Sequence, residues 1–309
     1  MRNRDAPELV GPPIRIGIKT SQQDTDWPTL DADWSRIGQH AVFESVWLND
    51  HLNNAQDPIG GASLEAITTL AALAHRVPGK WLGIGVLSAT FRHPSVLAKQ
   101  LTVLDHVTGG RFIAGLGAGW HEPEHTPFGI PFPPIVERFD RLESTLAVLR
   151  AMFSDDARQL PGVTRPDPYV PLANATNEPG TLTPGGPAIW LGGQKRRGID
   201  LAARYVQGWI IPFVLPDGRT DRVPYFAERR TMLLDRMGEL RRDPTGFEFA
   251  TQIPTGSSPE AWRETLDLAH RFVAVGANHV ILSMPPDLGP DGVDAIASEI
   301  AVPLLAARP

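Results

Sequence analysis

Two histidine-bearing motifs hold the side chains of this chain that are best suited to move a proton. Asn49-Asp50-His51 closes a predicted strand, and His121-Glu-Pro-Glu-His125 follows another. The imidazole of His51 can exchange a proton near neutral pH, and the carboxylate of Asp50 can orient that ring or hydrogen-bond a ligand. We therefore assign His51 and Asp50 as the candidate catalytic residues.

The second motif matches the H-E-x-x-H pattern of zinc hydrolases letter for letter. That site requires both histidines on one face of a helix. Pro123 interrupts the five residues, and Gly119 and Pro127 flank them, so a stable two-turn helix is not expected. No third ligand is evident from the spacing. We predict no metal site and interpret the motif as the polar rim of a cleft, with a metal hydrolase as the most distant alternative.

A glycine-rich turn, Gly115-Leu-Gly-Ala-Gly119, follows a predicted strand. It fails the dinucleotide-binding pattern because Trp120 stands where the third glycine belongs. Either it is an ordinary tight turn, or Gly117 and Gly119 bring the backbone close to a flat ligand or an anion. The segment Gly85–His93 also has two possible interpretations. It could be the end of a strand followed by a helix cap, or it could form a polar lining, including Ser88, beneath a ring system.

The turn Gly192–Gly198 links a strand to a helix and carries three consecutive basic residues. Glycines let backbone N–H groups face outward, and a helix N-terminus favours anions. We predict a phosphate or carboxylate site here, at Gly193, Gln194, Lys195 and Arg196; a solvated basic turn is the alternative. Barrel enzymes commonly bind phosphate near the seventh and eighth strands, whereas this turn follows the fifth predicted strand.

Eight predicted strands alternate with helices along the chain. The runs at 81–87 and 111–116 are typical of strands buried on both faces, and a helix at Pro94–Thr108 joins them. This order predicts a (β/α)8 TIM barrel, with a doubly wound open sheet as the runner-up. We predict a single domain over 1–309, with a loose tail at 1–13 and an inserted Pro/Gly-rich loop at 154–187. Chemistry in such a fold is expected just beyond the carboxyl ends of the strands.

Composition excludes several classes of protein. The 309 residues carry a net charge of −6 and include no cysteine, which excludes disulfides, thiolate nucleophiles and iron–sulfur clusters. No basic block suggests a nucleic-acid partner, and no apolar run could span a bilayer. The first residues lack the apolar core of a signal peptide, so we expect a cytoplasmic protein.

The motifs, taken together and in order, closely resemble the bacterial luciferase-like monooxygenase superfamily. The resemblance runs from about Ile14 to Ile211 and is carried by VWLNDH, by the stretch from Gly85 to His125, and by PAIWLGGQKRRGIDLAARYVQGW. It implies a barrel that binds flavin mononucleotide or the deazaflavin coenzyme F420. The Asp-His pair is more similar to the F420 branch, which implies that Asp50 lies beside the deazaflavin and that His51 takes part in catalysis.

The same resemblance implies further features of the site. Members carry a non-proline cis peptide in the third strand, which would be Gly85–Val86 and would form a bulge behind the central ring. The phosphate loop of the family falls on Gly193–Arg196, and a homodimer is typical. Sugar-phosphate dehydrogenases of the F420 branch have Glu where this chain has Trp120, so we expect another substrate, such as an activated double bond or a carbonyl.

These observations lead to one preferred function and two alternatives. We expect an F420-dependent oxidoreductase that transfers a hydride between the deazaflavin and a small organic substrate, with His51 supplying or removing the proton. The first alternative is a monooxygenase that uses reduced flavin mononucleotide and oxygen. The second is a cofactor-binding carrier or sensor with little catalysis.

Overall fold

The computed structural model describes residues 14–54, 61–213, 215 and 218–306. Its strands are β1 (Arg15–Lys19), β2 (Ser45–Leu48), β3 (Trp81–Ser88), β4 (Phe112–Gly117), β5 (Val163–Arg165), β6 (Leu172–Ala175), β7 (Ala188–Leu191), β8 (Gly208–Ile211), β9 (Glu248–Pro254) and β10 (His279–Ser283). Eight of them form a closed parallel barrel in the order β1-β10-β9-β8-β7-β4-β3-β2. The predicted (β/α)8 barrel is thereby confirmed, and the open sheet is excluded. The tail predicted at 1–13 lies outside the described residues.

Helices surround the barrel and alternate with its strands. They are α1 (Trp27–Gln39), α2 (Ala66–Leu73), α3 (Pro94–Val107), α4 (Ile135–Met152), α5 (Arg196–Tyr205), α6 (Arg222–Glu239), α7 (Pro259–Ala274), α8 (Gly289–Ile296) and α9 (Val302–Ala306). A π-helical turn joins α8 to α9. None of the helices in the described part of the chain combines the length and apolarity needed to cross a membrane.

The segment inserted between α4 and β7 contains more regular structure than a loop. Strands β5 and β6 pair antiparallel, and the carboxylate of Asp167 fixes the turn between them by accepting the backbone N–H groups of Tyr169 and Val170 at 2.9 and 3.0 Å. Ser144 of α4 donates to the same carboxylate at 2.5 Å. The sequence did not predict this hairpin because its strands are only three and four residues long. In addition, hydrogen bonds from side chains hold it in place, so it lacks the alternation of apolar residues that indicates a strand.

The inside of the barrel is filled by two tryptophan rings and by the apolar side chains packed with them, Ile113, Ile210, Ala250 and Ile281. The rings of Trp47 and Trp190 lie 5.1 Å apart. Glycine is required around them, because a Cβ at Gly83 would lie 2.3 Å from the Trp47 ring and one at Gly208 would lie 2.4 Å from Trp190. The packed interior leaves the carboxyl ends of the strands as the open face of the barrel, which is where such folds carry their chemistry.

Candidate active site

His51 follows β2 and is held by a buried carboxylate. Its Nδ1 lies 2.9 Å from Oε1 of Glu124 and 3.1 Å from Oε2. Glu124 sits in a short 3₁₀ turn after β4 and is 2% exposed. The backbone N–H of Leu52 donates to the same carboxylate at 3.0 Å. The dyad joins the ends of two strands and fixes the His51 ring at the mouth of the barrel.

The electrostatics of this pair determine which nitrogen of His51 is available. Burial alone would raise the pKa of Glu124, but the hydrogen bonds from His51 and Leu52 outweigh it and lower the pKa below its usual value. An ionised carboxylate only accepts hydrogen bonds, so Nδ1 of His51 must carry a hydrogen. Nε2 of His51 is therefore the atom that can take or give a proton.

The carboxylate of Asp50 forms an ion pair with Arg92. Arg92 donates to its two carboxylate oxygens at 2.7 and 2.8 Å, and the backbone N–H of Ser88 donates at 2.8 Å. Arg92 also pairs with Glu65 at the start of α2. Asp50 thus ties the end of β2 to the end of β3. Both carboxylate oxygens of Asp50 therefore already accept hydrogen bonds from the protein.

A hydrogen-bonded chain accounts for His125, the last residue of the H-E-x-x-H motif. Its Nδ1 lies 2.8 Å from the carbonyl oxygen of His121, so Nδ1 donates, and its Nε2 lies 2.7 Å from Oγ1 of Thr90. Thr90 in turn lies 2.7 Å from the hydroxyl of Ser88. Both nitrogens of His125 are occupied. No metal-binding cluster of three or more His, Asp or Glu occurs among the residues that the structure describes.

The third strand carries the bulge that the family resemblance implies. The Gly85–Val86 peptide is cis, and the pairing of β3 with β4 shifts between Ile84 and Leu87. Both Gly85 and Val86 are partly exposed at the barrel mouth. A Cβ at Gly117 would lie 2.9 Å from Val86. Glycine at this position therefore lets the end of β4 lie close against the bulge.

Position 119 requires glycine for a different reason. Its φ is +80°, in the left-handed region, and a Cβ there would lie 2.9 Å from the hydroxyl oxygens of Ser88 and Thr90. The next residue, Trp120, is 64% exposed, and its ring lies edge-on to that of His51 at 5.9 Å. Gly119 therefore turns the chain so that a large aromatic side chain stands beside His51.

The predicted phosphate loop lies between β7, the fifth strand of the barrel, and α5. Helix α5 begins at Arg196, with Lys195 as its N-cap and no side-chain cap on its first N–H groups. The buried amide oxygen of Gln194 has no partner in the described part of the chain. Gly193 packs closely enough on Gly198 that a Cβ on it would lie 2.7 Å from the Gly198 Cα. Unsatisfied helix N–H groups beside Lys195 and Arg196 fit a phosphate.

A second polar group at the barrel mouth was not found from the sequence. Lys19, the last residue of β1, donates to the side-chain oxygens of Asn49 at 3.1 Å and Gln252 at 2.6 Å. Arg222, the first residue of α6, donates to the backbone oxygen of Gln252 at 2.7 Å. Lys19 ends β1, Asn49 directly follows β2, and Gln252 lies near the carboxyl end of β9. The position of Lys19 at the end of a predicted strand is the feature of the sequence that could have indicated this group.

Reasoning from the sequence also missed Glu124 and Arg92. Glu124 belongs to the H-E-x-x-H motif, which we interpreted only as the polar rim of a cleft. Arg92 belongs to the segment Gly85–His93, for which the spacing did not distinguish a structural from a functional role. The structure brings both to the predicted residues, Glu124 to His51 and Arg92 to Asp50, and it places the predicted Gly193–Arg196 loop two strands away from the Gly85–Val86 bulge, across β4.

Comparison with known proteins adds relatives by sequence. The chain is 30% identical over 201 residues to the F420-dependent glucose-6-phosphate dehydrogenase of Microbacterium testaceum, which covers 64% of this chain and 56% of that protein. It is also 30% identical over 201 residues to the phthiodiolone/phenolphthiodiolone dimycocerosates ketoreductase of Mycobacterium tuberculosis, covering 59% of this chain and 51% of that one. The chain thus spans little more than half the length of these relatives.

Solved structures share the fold. An F420-dependent secondary alcohol dehydrogenase in complex with an F420-acetone adduct superposes with a TM-score of 0.77 at 18% identity, over 95% of this chain and 99% of that one. A long-chain alkane monooxygenase superposes with a TM-score of 0.74 at 15% identity, over 96% and 91%. The family model described as luciferase-like monooxygenase matches residues 20–283. The chain therefore belongs to the luciferase-like monooxygenase family.

Proposed function

We propose that this protein is an F420-dependent oxidoreductase that interconverts a small alcohol and carbonyl, or reduces an activated double bond. The observation that carries the proposal is the His51–Glu124 dyad, which presents Nε2 of His51 at the barrel mouth. The relatives named as F420-dependent dehydrogenases support it. A cytoplasmic location is part of the same proposal.

The residues present fit the cofactor at three places. The uncapped start of α5, with Gln194, Lys195 and Arg196, would hold a phosphate. The bulge at Gly85–Val86 would lie against the central ring, and Gly117 lets the end of β4 lie close against the bulge. Ser88 and Gly119 would contribute to the same wall. When bound, F420 supplies a carbon centre that accepts or donates a hydride.

The chain's own residues supply the proton chemistry and the positioning. An alcohol that gives up a hydride from carbon must also release the proton of its hydroxyl group. Nε2 of His51 accepts that proton, and the Glu124 carboxylate stabilises the imidazolium that results. In the reductive direction the imidazolium returns the proton to the carbonyl oxygen or, for an activated double bond, to the alkene carbon that does not receive the hydride. The ring of Trp120 lies edge-on to that of His51, with 5.9 Å between the ring centroids.

The proposal is tested first by binding. We expect intrinsic tryptophan fluorescence to report F420 binding in the micromolar range or tighter, about −8 kcal/mol or better, and much weaker binding of flavin mononucleotide. Arg196→Gln should weaken F420 binding by roughly tenfold, because it removes a charged phosphate contact. Arg263→Gln, on the exposed face of α7, is the matched control and should change nothing. Tighter binding of flavin mononucleotide than of F420 would contradict the proposal and favour the oxygen-using alternative.

Turnover separates an enzyme from a carrier or sensor. The reduced holoprotein is mixed with a panel of enones and ketones, and the oxidation of F420 is followed by absorbance. We expect His51→Ala to keep F420 affinity and to lose roughly 10²- to 10⁴-fold in kcat. If the variant bound F420 normally and kept the wild-type rate on every substrate that the wild type reduces, His51 would have no catalytic role.

A further inference from the structure

Two cationic side chains, Lys19 and Arg222, lie across the barrel mouth from the glycine-rich loops, and we call them the cationic subsite. We propose that this subsite binds an anionic group of the substrate, a carboxylate or a phosphate. The inference rests on the proposed function, because it assigns the acid-bearing end of the substrate that His51 would act on. Neither residue belongs to the motifs from which the family is recognised.

Lys19 has a donor that no group in the described part of the chain takes up. An ammonium group carries three N–H donors, and the described structure gives Lys19 two acceptors, the side-chain oxygens of Asn49 and Gln252. Both are neutral amides. No carboxylate in the described part of the chain forms an ion pair with Lys19, although a half-buried charge is ordinarily paired. The third donor is therefore available to a ligand in the barrel mouth.

Arg222 is short of acceptors in the same way. One of its terminal nitrogens donates to the backbone oxygen of Gln252 at 2.7 Å, and its buried Nε has no partner among the described residues. Its guanidinium lies over the rings of Phe213 and Phe272, at 5.5 and 5.4 Å from their centroids. Cations gain modestly from such contacts but are not neutralised by them. No ion pair to a carboxylate occurs within the described residues here either.

Burial without a negative partner among the described residues makes the charged forms of Lys19 and Arg222 less stable, and their pKa values show this. Burial, together with the nearby positive charge of Arg222, lowers the pKa of Lys19 to about 8. Burial lowers the pKa of Arg222 to about 10. Two cations held together without a negative partner are each destabilised in the charged form. A bound oxyanion would offset that cost and would accept the hydrogen bonds that Lys19 and Arg222 leave unused.

The position of the subsite distinguishes it from the phosphate loop. The bulge and the Gly193–Arg196 loop belong to β3, β4 and β7, which are neighbours in the barrel, whereas Lys19 ends β1 and Gln252 lies on β9. The two sides meet at Gly85, where a Cβ would lie 3.7 Å from Nε2 of Gln252. An anion on Lys19 would therefore sit one side chain away from the bulge, on the side of the mouth that the phosphate loop does not occupy.

The test uses the holoprotein, so that F420 occupies the phosphate loop. Calorimetric titrations compare benzoate and hexanoate with the neutral amides of the same shape, benzamide and hexanamide, and with phenyl phosphate. We expect the anions to bind about 10- to 100-fold more tightly than the amides, as charge-assisted hydrogen bonds imply. The stronger of the two anion classes identifies the group as a carboxylate or a phosphate. Equal affinity for anions and amides would overturn the proposal.

Variants assign the effect to the subsite. Lys19→Met and Arg222→Met should remove the preference for anions, while Lys99→Met, at an exposed position on α3, should keep it. Lys19→Gln is a second variant that retains polar contacts if Lys19→Met folds poorly. A preference that survives in both subsite variants contradicts the proposal.

A separate F420 titration of each variant distinguishes this proposal from the proposed function. Unchanged F420 affinity in Lys19→Met, with the anion preference lost, supports the subsite. If instead the wild type fails to bind F420, the function proposed above fails. The subsite is then judged on the apoprotein of Lys195→Met, which weakens the phosphate loop. If the Lys195→Met apoprotein no longer prefers anions to amides, the anions bind in the phosphate loop and the proposal of a cationic subsite is wrong.

Discussion

At the scale of single residues, the His51 ring is oriented by a carboxylate that has two donors to satisfy. Glu124 accepts from Nδ1 of His51 through both oxygens and from the backbone N–H of Leu52. A glutamine at this position would have one oxygen and one NH₂ group. Its single oxygen would have to accept from both donors, and it would bring no negative charge to stabilise an imidazolium. The carboxylate therefore both orients His51 and holds its reactive nitrogen outward.

We predict that Glu124→Gln lowers kcat by about 100-fold, within the range that general acid–base catalysis contributes. F420 affinity should stay at the wild-type value, because Glu124 contacts no residue of the phosphate loop. Steady-state kinetics on a substrate from the panel, with an F420 titration alongside, measure both quantities. Glu122→Gln, on the same 3₁₀ turn but exposed, is the matched control. A kcat equal to that of the control would show that Glu124 does not act through His51.

At the scale of elements, the start of α5 is fixed by the contact between two glycines. A Cβ on Gly198, in the first turn of α5, would lie 2.6 Å from the Cα of Gly193. Trp209 of β8 holds the other side of the loop by donating to the backbone oxygen of Gly193 at 2.7 Å. Since backbone atoms form this contact, no side-chain rotation can relieve an added methyl group. The loop keeps its distance from the helix start only while both positions are glycine.

We predict that Gly198→Ala weakens F420 binding by roughly tenfold or more, because the loop must move and the helix N–H groups then point away from the phosphate. Intrinsic helix propensity favours the opposite result, since alanine is about 1 kcal/mol better than glycine inside a helix. Gly238→Ala in α6, where nothing lies within 4 Å of the added Cβ, isolates that propensity. It should raise the free energy of unfolding and leave F420 affinity unchanged. Equal F420 affinity in the two variants would remove the role assigned to this contact.

The elements of the barrel are predictable from the sequence for a local reason. A strand such as β4 is an unbroken apolar run that ends in glycines, and His51 was found because it follows such a strand directly. Glu124 and Arg92 were missed because their partners lie 73 and 42 residues away, and no local pattern encodes a pairing at that separation. For Lys19 and Gln252, which are 233 residues apart, only closure of the barrel brings the side chains together.

At the scale of the whole molecule, the barrel closes at the seam where β1 pairs with β10, and α1, which follows β1, packs against α8, which follows β10. Trp34 of α1 is fully buried and donates from its indole N–H to Thr20, just after β1, at 3.0 Å. The preceding residue, Asp33, is 3% exposed, and one of its carboxylate oxygens is buried without a partner in the described structure. A buried carboxylate at the seam therefore opposes folding of the barrel whenever it is ionised.

Burial raises the pKa of Asp33 to about 6, above the value of about 3.9 expected in the unfolded chain. The folded protein then binds this proton more tightly than the unfolded chain does, so the free energy of unfolding falls as the pH rises from about 4 to about 6. We predict that Asp33→Asn is more stable than wild type by about 1 to 3 kcal/mol at pH 8. The difference should shrink towards zero near pH 4, where the wild-type side chain is protonated in the folded state.

Urea unfolding of both proteins at pH 4, 6 and 8, followed by tryptophan fluorescence, measures this difference. Asp235→Asn, at an exposed position in α6, makes the same chemical change without burial and should show no such pH dependence. A gain at pH 8 that persists undiminished at pH 4 would point to packing rather than ionisation as its cause. A gain confined to neutral and alkaline pH would mean that the seam of the barrel holds an ionised carboxylate there, and that the molecule as a whole bears the energetic cost of that charge.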